Sequence, residues 1–288
     1  MSAKTKLKHS LLQLLQHDHG GSYNTRHDRK GLLLKFISDV HTLGYKITHI
    51  RELKPKHITA VVAHWQQQQL SNATIKNRTS AIRHVAYLIN KSEIVPNNKA
   101  LNIGARHYTA VENRALINPN FQNIPNEHIR VSLELQRVFG LRREESLKIK
   151  PYLADKGHCI ALQPSWCKGG RGRFVPIQTE EQRYWLEQAK KLAGSGSLIP
   201  EGKSYIQHRY VYDKQTVRAG LKNLHGLRHA YAQQRYYEIT GWQAPINGGP
   251  KSSQLTQEQK ELDYQARMIL SEVLGHSREQ ITVNYLGR

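Results

Sequence analysis

The sequence predicts a two-domain fold: an α-helical N-terminal domain followed by a mixed, mainly α-helical α+β domain with a small antiparallel sheet. Three observations predict it. A chain of 288 residues exceeds the usual size of one domain. Apolar residues in the first hundred positions recur at helical spacing, and farther on two short β-like runs flank a glycine-rich turn.

In the N-terminal part, Leu32, Leu33, Phe36, Ile37, Val40 and Leu43 fall at helical spacing, and Gly44 stops the segment. Ile58, Val61, Val62 and Trp65 repeat the pattern after Pro55, a favoured first-turn residue. A third helix starts at Ser71 or Asn72, either a good N-cap, and runs Ile75, Thr79, Ile82, Ala86 and Ile89 down one side. Lys76, Asn77, Ser80, Arg83 and His84 share the opposite side. That face is a candidate DNA reader, because a helix in the major groove reaches base edges and phosphates; a plain solvated surface accounts for the same residues.

From Val95 to about Pro125 the periodicity fades between Pro96-Asn97-Asn98 and Asn118-Pro119-Asn120. The expected division is therefore a domain over 1–100, a linker over 101–125 and a second domain over 126–288. Ile129 to Phe139 reads as a helix ending at Gly140. Cys159–Gln163 and Phe174–Ile177 read as strands of a hairpin whose turn is Lys168-Gly-Gly-Arg-Gly-Arg173. Helices resume around Gln178–Ala193 and again from His225.

Composition narrows the function. Lys and Arg total 43 against 22 Asp and Glu, giving +21 and a pI near 10.0, so a polyanion is the natural partner. No apolar run approaches a membrane span and no signal-peptide pattern opens the chain, so the expected location is cytoplasmic, away from membranes. Cys159 and Cys167 have neither the number nor the spacing of a disulfide framework or zinc site, and the histidines are scattered. No metal is implied.

The chemistry sits in His225-Gly-Leu-Arg228, then Leu274-Gly-His276, then Tyr285. These side chains suit attack by a tyrosine on a phosphodiester. An enzyme working on that ester without a metal needs cations at the phosphate, and arginine makes forked hydrogen bonds to its oxygens. A phenol of ordinary pKa about 10 can attack as its proton leaves, forming a phosphotyrosine that conserves the bond energy for rejoining. A lysine suits protonation of the departing 5′ oxygen, and histidine suits positioning and proton transfer. Taken singly, each has a bland reading: Arg142 as a surface helix residue, Lys168 as a solvated turn residue, His225 and Arg228 as a helical pair. Order and spacing set them apart.

Jointly, the motifs resemble the tyrosine recombinase, or phage integrase, family. Gly140-Leu-Arg142 with Glu145 is similar to the family's first arginine motif, and Lys168 in the glycine-rich turn to its hairpin lysine. His225-Gly-Leu-Arg228-His-Ala resembles the His-x-Leu-Arg-His box and Leu274-Gly-His276-Ser the Leu-Gly-His-Ser box, with Tyr285 at the nucleophile spacing. The helical N-terminal part resembles the core-binding domain only in length, position and pattern.

The resemblance implies a site-specific DNA recombinase acting through a 3′-phosphotyrosyl intermediate. Arg142 and Arg228 would clamp the phosphate, Lys168 would protonate the leaving oxygen and Tyr285 would be the nucleophile. His225 and His276 would contact the phosphate and assist proton movement, with Glu145 supporting Arg142. The family works on double-stranded DNA at attachment or recombination sites, as a homotetramer exchanging strands through a Holliday junction, with accessory DNA-bending proteins in some systems and no metal or nucleotide cofactor. Two departures stand out. Sequence between Arg228 and His276, including Gly241 to Pro250 and a polar helix from about Thr256 to Val273, exceeds that of compact members and reads in part as a surface insertion. The sequence ends at Arg288 with no helix after Tyr285, which many members use to grip the next protomer, so the mode of assembly stays open. These features favour an integrase of an integrative or mobile element. The rival readings are a catalytically silent, recombinase-derived DNA-binding protein and a type IB topoisomerase-like relaxer.

Overall fold

The computed structural model describes residues 1–106, 109, 110 and 112–288. The chain divides into two compact units, 1–107 and 108–288. Among the described residues, no helix is long and apolar enough to cross a membrane.

The first unit is helical: α1 Ala3–Gln16, α2 Tyr23–Thr42, α3 Pro55–Gln67 and α4 Asn72–Leu88. Ser2, Ser22 and Ser71 cap α1, α2 and α4, each side-chain oxygen accepting the backbone N–H three residues on at 3.2 Å. Pro55 opens α3, where its missing N–H costs nothing. Leu7 and Leu11 of α1, Phe36 and Val40 of α2, Ile58 and Trp65 of α3, and Ile75 and Ile82 of α4 share one core, each large side chain worth about 1.5–3 kcal/mol when fully buried. Trp65 donates its indole N–H to buried Asp39 at 2.8 Å, satisfying both polar groups inside that core.

The sequence does not announce α1, because Lys4, Lys6, Lys8 and His9 interrupt its apolar stripe; Leu7 and Leu11 are nevertheless fully buried. On α4 the apolar side read from the sequence faces the core throughout, including Thr79, which returns its hydroxyl to Ile75 O at 3.0 Å.

The second unit is mixed and mainly helical. Its elements are α5 Glu127–Phe139, α6 Arg143–Lys148, α7 Pro151–Ala154, β1 Cys159–Leu162, β2 Arg173–Pro176, α8 Glu180–Ala193, α9 Tyr205–Arg218, α10 Gly226–Thr240, α11 Gln257–Val273 and α12 Val283–Leu286. The strands form one antiparallel pair with Cys159 opposite Pro176 and Leu162 opposite Arg173. Helix α5 is central: Leu135 and Phe139 enter the cluster beneath the sheet and α8, while Ile129 and Leu133 enter another with Tyr212 and Leu227. Gly140 stops α5 in the left-handed region, φ 62°, and a Cβ there would come 2.4 Å from the ring of Tyr231.

Two expectations need correction, and one helix, α9, has no counterpart in the sequence reading. Strand β2 starts at Arg173 rather than Phe174, and its alternation puts Arg173 and Val175 inward while Phe174 stands 66% exposed. Helix α9 carries apolar residues on two sides, so no single stripe announced it. The stretch from Gly241 is also more than a surface insertion. Ala244 is fully buried, Trp242 donates to Tyr236 Oη at 3.1 Å, and Ile246 lies against Gly287 beside α12. Within the stretch read as a linker, Leu101 and Ile103 pack into the first unit, and Phe121 and Ile124 into the second; its residues 107, 108 and 111 lie outside the described residues.

Candidate active site

The loop after α5 turns sharply at Gly140 and delivers Arg142 to the start of α6. Glu145, one turn on, accepts the Arg142 backbone N–H at 2.8 Å with one carboxylate oxygen and its guanidinium at 2.7 Å with the other. One side chain thus caps α6 and aims the arginine. The same fully buried carboxylate takes a forked pair from Arg173 on β2 at 2.7 and 2.9 Å. Burial pushes the Glu145 pKa upward, yet Arg173, then Arg142, overcome it and hold the carboxyl at about 2.

Arg228 lies in the first turn of α10 and is 1% exposed. All three of its nitrogens point at protein acceptors: Nη1 to Gly140 O at 2.6 Å, Nη2 to Leu274 O, and Nε to Tyr285 Oη at 3.3 Å. Arg142 donates to the same Leu274 carbonyl at 3.2 Å. Burial draws the Arg228 pKa down to about 10, which leaves it charged at neutral pH.

Leu274 closes α11, and Gly275, φ 66°, reverses the chain so that His276 faces back. Its Nε2 lies 3.2 Å from Tyr285 Oη. Tyr285 is carried by the short α12 and is 5% exposed. Gln233 anchors it by donating to its carbonyl at 2.9 Å. Three imidazoles surround the phenol ring, His229 at 4.8 Å, His276 at 5.9 Å and His225 at 6.2 Å between ring centroids. Burial, reinforced by neighbouring positive groups, pushes His276 and His229 down to about 4 and lowers His225 as well. At neutral pH these rings are uncharged, and a neutral imidazole nitrogen can take a proton.

The structure thus brings Arg142, Glu145, His225, Arg228, His276 and Tyr285 together. It leaves Lys168 apart, exposed in the hairpin turn Lys168–Gly170, with no hydrogen bond or ion pair to any described residue. Two members of the site, Arg173 and His229, are not singled out by sequence reasoning. His229 stands in the His-x-Leu-Arg-His box, and the signal for Arg173 is a charge on the inward phase of an alternating strand.

On α4, Arg83 is turned inward to Pro96 O and Asn98 at 2.9 and 3.0 Å, and His84 joins Asp18 at 2.8 Å beside Arg29. Asn77 accepts from Arg106 at 2.9 Å. Asn77 and Ser80 are exposed, and Lys76 is half-buried.

With this geometry in view, residues 4–95 match the family described as "Phage integrase, N-terminal" and residues 105–234 the one described as "Integrase". The second match spans Arg142, Lys168, His225 and Arg228; His276 and Tyr285 lie beyond it. The chain belongs to the tyrosine recombinase (phage integrase) family. Solved structures agree on the fold. The Tn1549 transposon integrase with transposon right end DNA is 12% identical, over 100% of this chain and 95% of that one, with a TM-score of 0.57. A lambda integrase dimer bound to a COC′ core site is 15% identical over 96% and 76%, with a TM-score of 0.61. XerH recombinase bound to palindromic difH substrate is 16% identical over 96% and 80%, with a TM-score of 0.58. No curated protein matches the sequence.

Proposed function

We propose that this protein is a site-specific DNA recombinase, an integrase of a mobile element, that cuts and rejoins DNA through a 3′-phosphotyrosyl link to Tyr285. The observation that carries the reading is the convergence of Arg228 Nε, at 3.3 Å, and His276 Nε2, at 3.2 Å, on the phenolic oxygen. A guanidinium there favours the developing phenolate, and the neutral imidazole accepts the proton.

In the proposed step the Tyr285 oxygen bonds to phosphorus, the bond from phosphorus to the 5′ oxygen breaks, and the phenolic proton passes to His276. Arg142 and Arg228 hold the two non-bridging oxygens, which take over as acceptors from the Leu274 carbonyl that both arginines now share. His225 assists beside the phosphate. Lys168, exposed in its turn, gives a proton to the leaving 5′ oxygen. Glu145 and Arg173 act through Arg142 as positioning residues.

DNA is the partner we assign. The charge of +21 suits a polyanion, and lambda integrase is seen as a dimer on a core site and as a tetramer on a Holliday junction. We carry over duplex DNA at paired sites and a tetrameric assembly, with Lys76, Asn77 and Ser80 as the contacts from α4. The test is trapping on nicked duplex fragments of source-organism DNA. Protein bands that stay on DNA in detergent, and that vanish with Tyr285→Phe, support the proposal; DNA binding with no such band sinks it and leaves a silent binding protein.

A further inference from the structure

Tyr285 rides on α12, a helix of four residues, too short for its own hydrogen bonds to hold it. Its position is set by what it leans on. The Tyr285 carbonyl accepts from the side-chain amide of Gln233, buried on α10, at 2.9 Å. The same amide nitrogen donates to Asn113 Oδ1 at 2.9 Å. Gln233 Oε1 accepts from Asn247 Nδ2 at 2.9 Å and from Asn113 Nδ2 at 3.5 Å, and Asn113 donates to Asn247 as well. Every donor and acceptor position of the Gln233 amide is thus filled, and three carboxamides from distant stretches form one knot on the carbonyl of Tyr285. Asn113 lies where the chain enters the second unit, and that stretch is fastened on either side of the knot. Ala110 N–H donates to Val283 O on α12 at 3.3 Å, and Leu116 N–H donates to Gly226 O at the start of α10 at 3.0 Å. The backbone passes so close that a Cβ on Gly226 would come 2.4 Å from Arg114 O. The same stretch therefore touches the first turn of α10, which carries Arg228, and α12, which carries Tyr285.

We propose that Gln233, Asn113 and Asn247 are positioning residues for Tyr285, and that through Asn113 the stretch joining the two units controls where the phenol sits. Asn113 and Asn247 are exposed and have water available, yet both turn their amides to Gln233. Gln233 passes that restraint to the backbone of Tyr285 itself, whose phenolic oxygen lies 3.3 Å from Arg228 Nε and 3.2 Å from His276 Nε2. A shift of about 1 Å in such a group can cost on the order of a hundredfold in rate. The role in cleavage rests on the recombinase reading; the tie to α12 does not.

Asn113→Ala and Gln233→Leu, made singly and together in the full chain, test it; Asn113 is exposed, so its truncation leaves the core intact. Amide hydrogen exchange of residues 283–288 is read beside the rate of adduct formation on a nicked duplex at saturating concentration. Each single variant should speed exchange about fivefold, the size of one net hydrogen bond. Each should also slow adduct formation about tenfold or more with the half-saturating DNA concentration unchanged. The double variant should match Gln233→Leu alone, since both changes act through one bond to the Tyr285 carbonyl. Unchanged exchange, effects that add in the double variant, or a cleavage defect cured by more DNA would overturn the proposal. A wild-type protein that forms no adduct refutes the recombinase reading, and exchange then decides the knot by itself.

Discussion

Arg142 and Arg228 donate to one and the same atom, the carbonyl oxygen of Leu274. Two guanidinium groups held against a single neutral oxygen form an anion site in waiting, with two positive charges that repel each other until an anionic group enters. Inorganic sulfate is therefore expected to raise the melting temperature of the wild-type protein in a saturable way, by the binding term RT ln(1 + [L]/Kd). Arg142→Ala should remove most of the increment. Thermal unfolding in sulfate against chloride at matched ionic strength checks this, and an increment unchanged by Arg142→Ala would assign the sulfate elsewhere.

Glu145 is the charge on which the arginine pair is aligned. Its carboxyl sits at about 2 against an ordinary 4.5. The native state therefore binds fewer protons than the unfolded chain below that ordinary value. The stabilisation, on the order of 3 kcal/mol, is whole above pH 4.5 and is lost as pH falls through 2. Glu145→Gln should destabilise the second unit by about 3–5 kcal/mol, because buried Arg173 loses its counter-charge. Denaturant unfolding measures it; a change under about 1 kcal/mol would mean that the forked pair contributes little.

The histidines around Tyr285 respond in the same direction but at higher pH. His276 and His229 are pushed to about 4, so the unfolded chain takes up protons near 6.5 while the native state does not. Their contribution is fully present above 6.5 and declines as pH falls toward 4. Strand cleavage at constant fold should not show a titration near 6.5 from His276, whose ring stays neutral until pH approaches 4. A titration of the cleavage rate near pH 6.5 that His276→Gln abolishes would contradict the depressed pKa, and a rate that His276→Gln leaves unchanged would contradict the proton-acceptor role.

Gly140 is expected to be intolerant. Gly140→Ala forces a side chain into φ 62° and brings its Cβ to 2.4 Å from the Tyr231 ring, at the residue whose carbonyl receives Arg228. A loss of more than about 1 kcal/mol in stability is predicted, together with weaker cleavage. Unfolding and adduct yield on the same preparation separate the two effects.

Much of this arrangement was legible in the sequence, for identifiable reasons. Ile75, Thr79, Ile82, Ala86 and Ile89 announced the buried side of α4, because residues spaced three and four apart line one side of a helix and fall on both faces of a strand. Arg142, His225, Arg228, His276 and Tyr285 were found through order and spacing, which report that distant segments share a task. What stayed hidden was pairing. Nothing in the string shows that Arg83 bonds to Asn98 and His84 to Asp18. Nor does it show that Glu145 serves Arg173 as well as Arg142, since that bond joins α6 to a strand by side chains alone. Trp242 and Ala244 read as an insertion because their burial is created by α10 and α12, which local sequence does not contain.

The recombinase reading requires that the Tyr285 oxygen itself become joined to DNA. Mass spectrometry of the nuclease-trimmed, protease-digested adduct formed on a nicked duplex reads this directly. The expected product is a nucleotide attached through its 3′ phosphate to Tyr285, within the peptide that follows His276. A nucleotide on any other residue, or attachment through a 5′ phosphate, would contradict it.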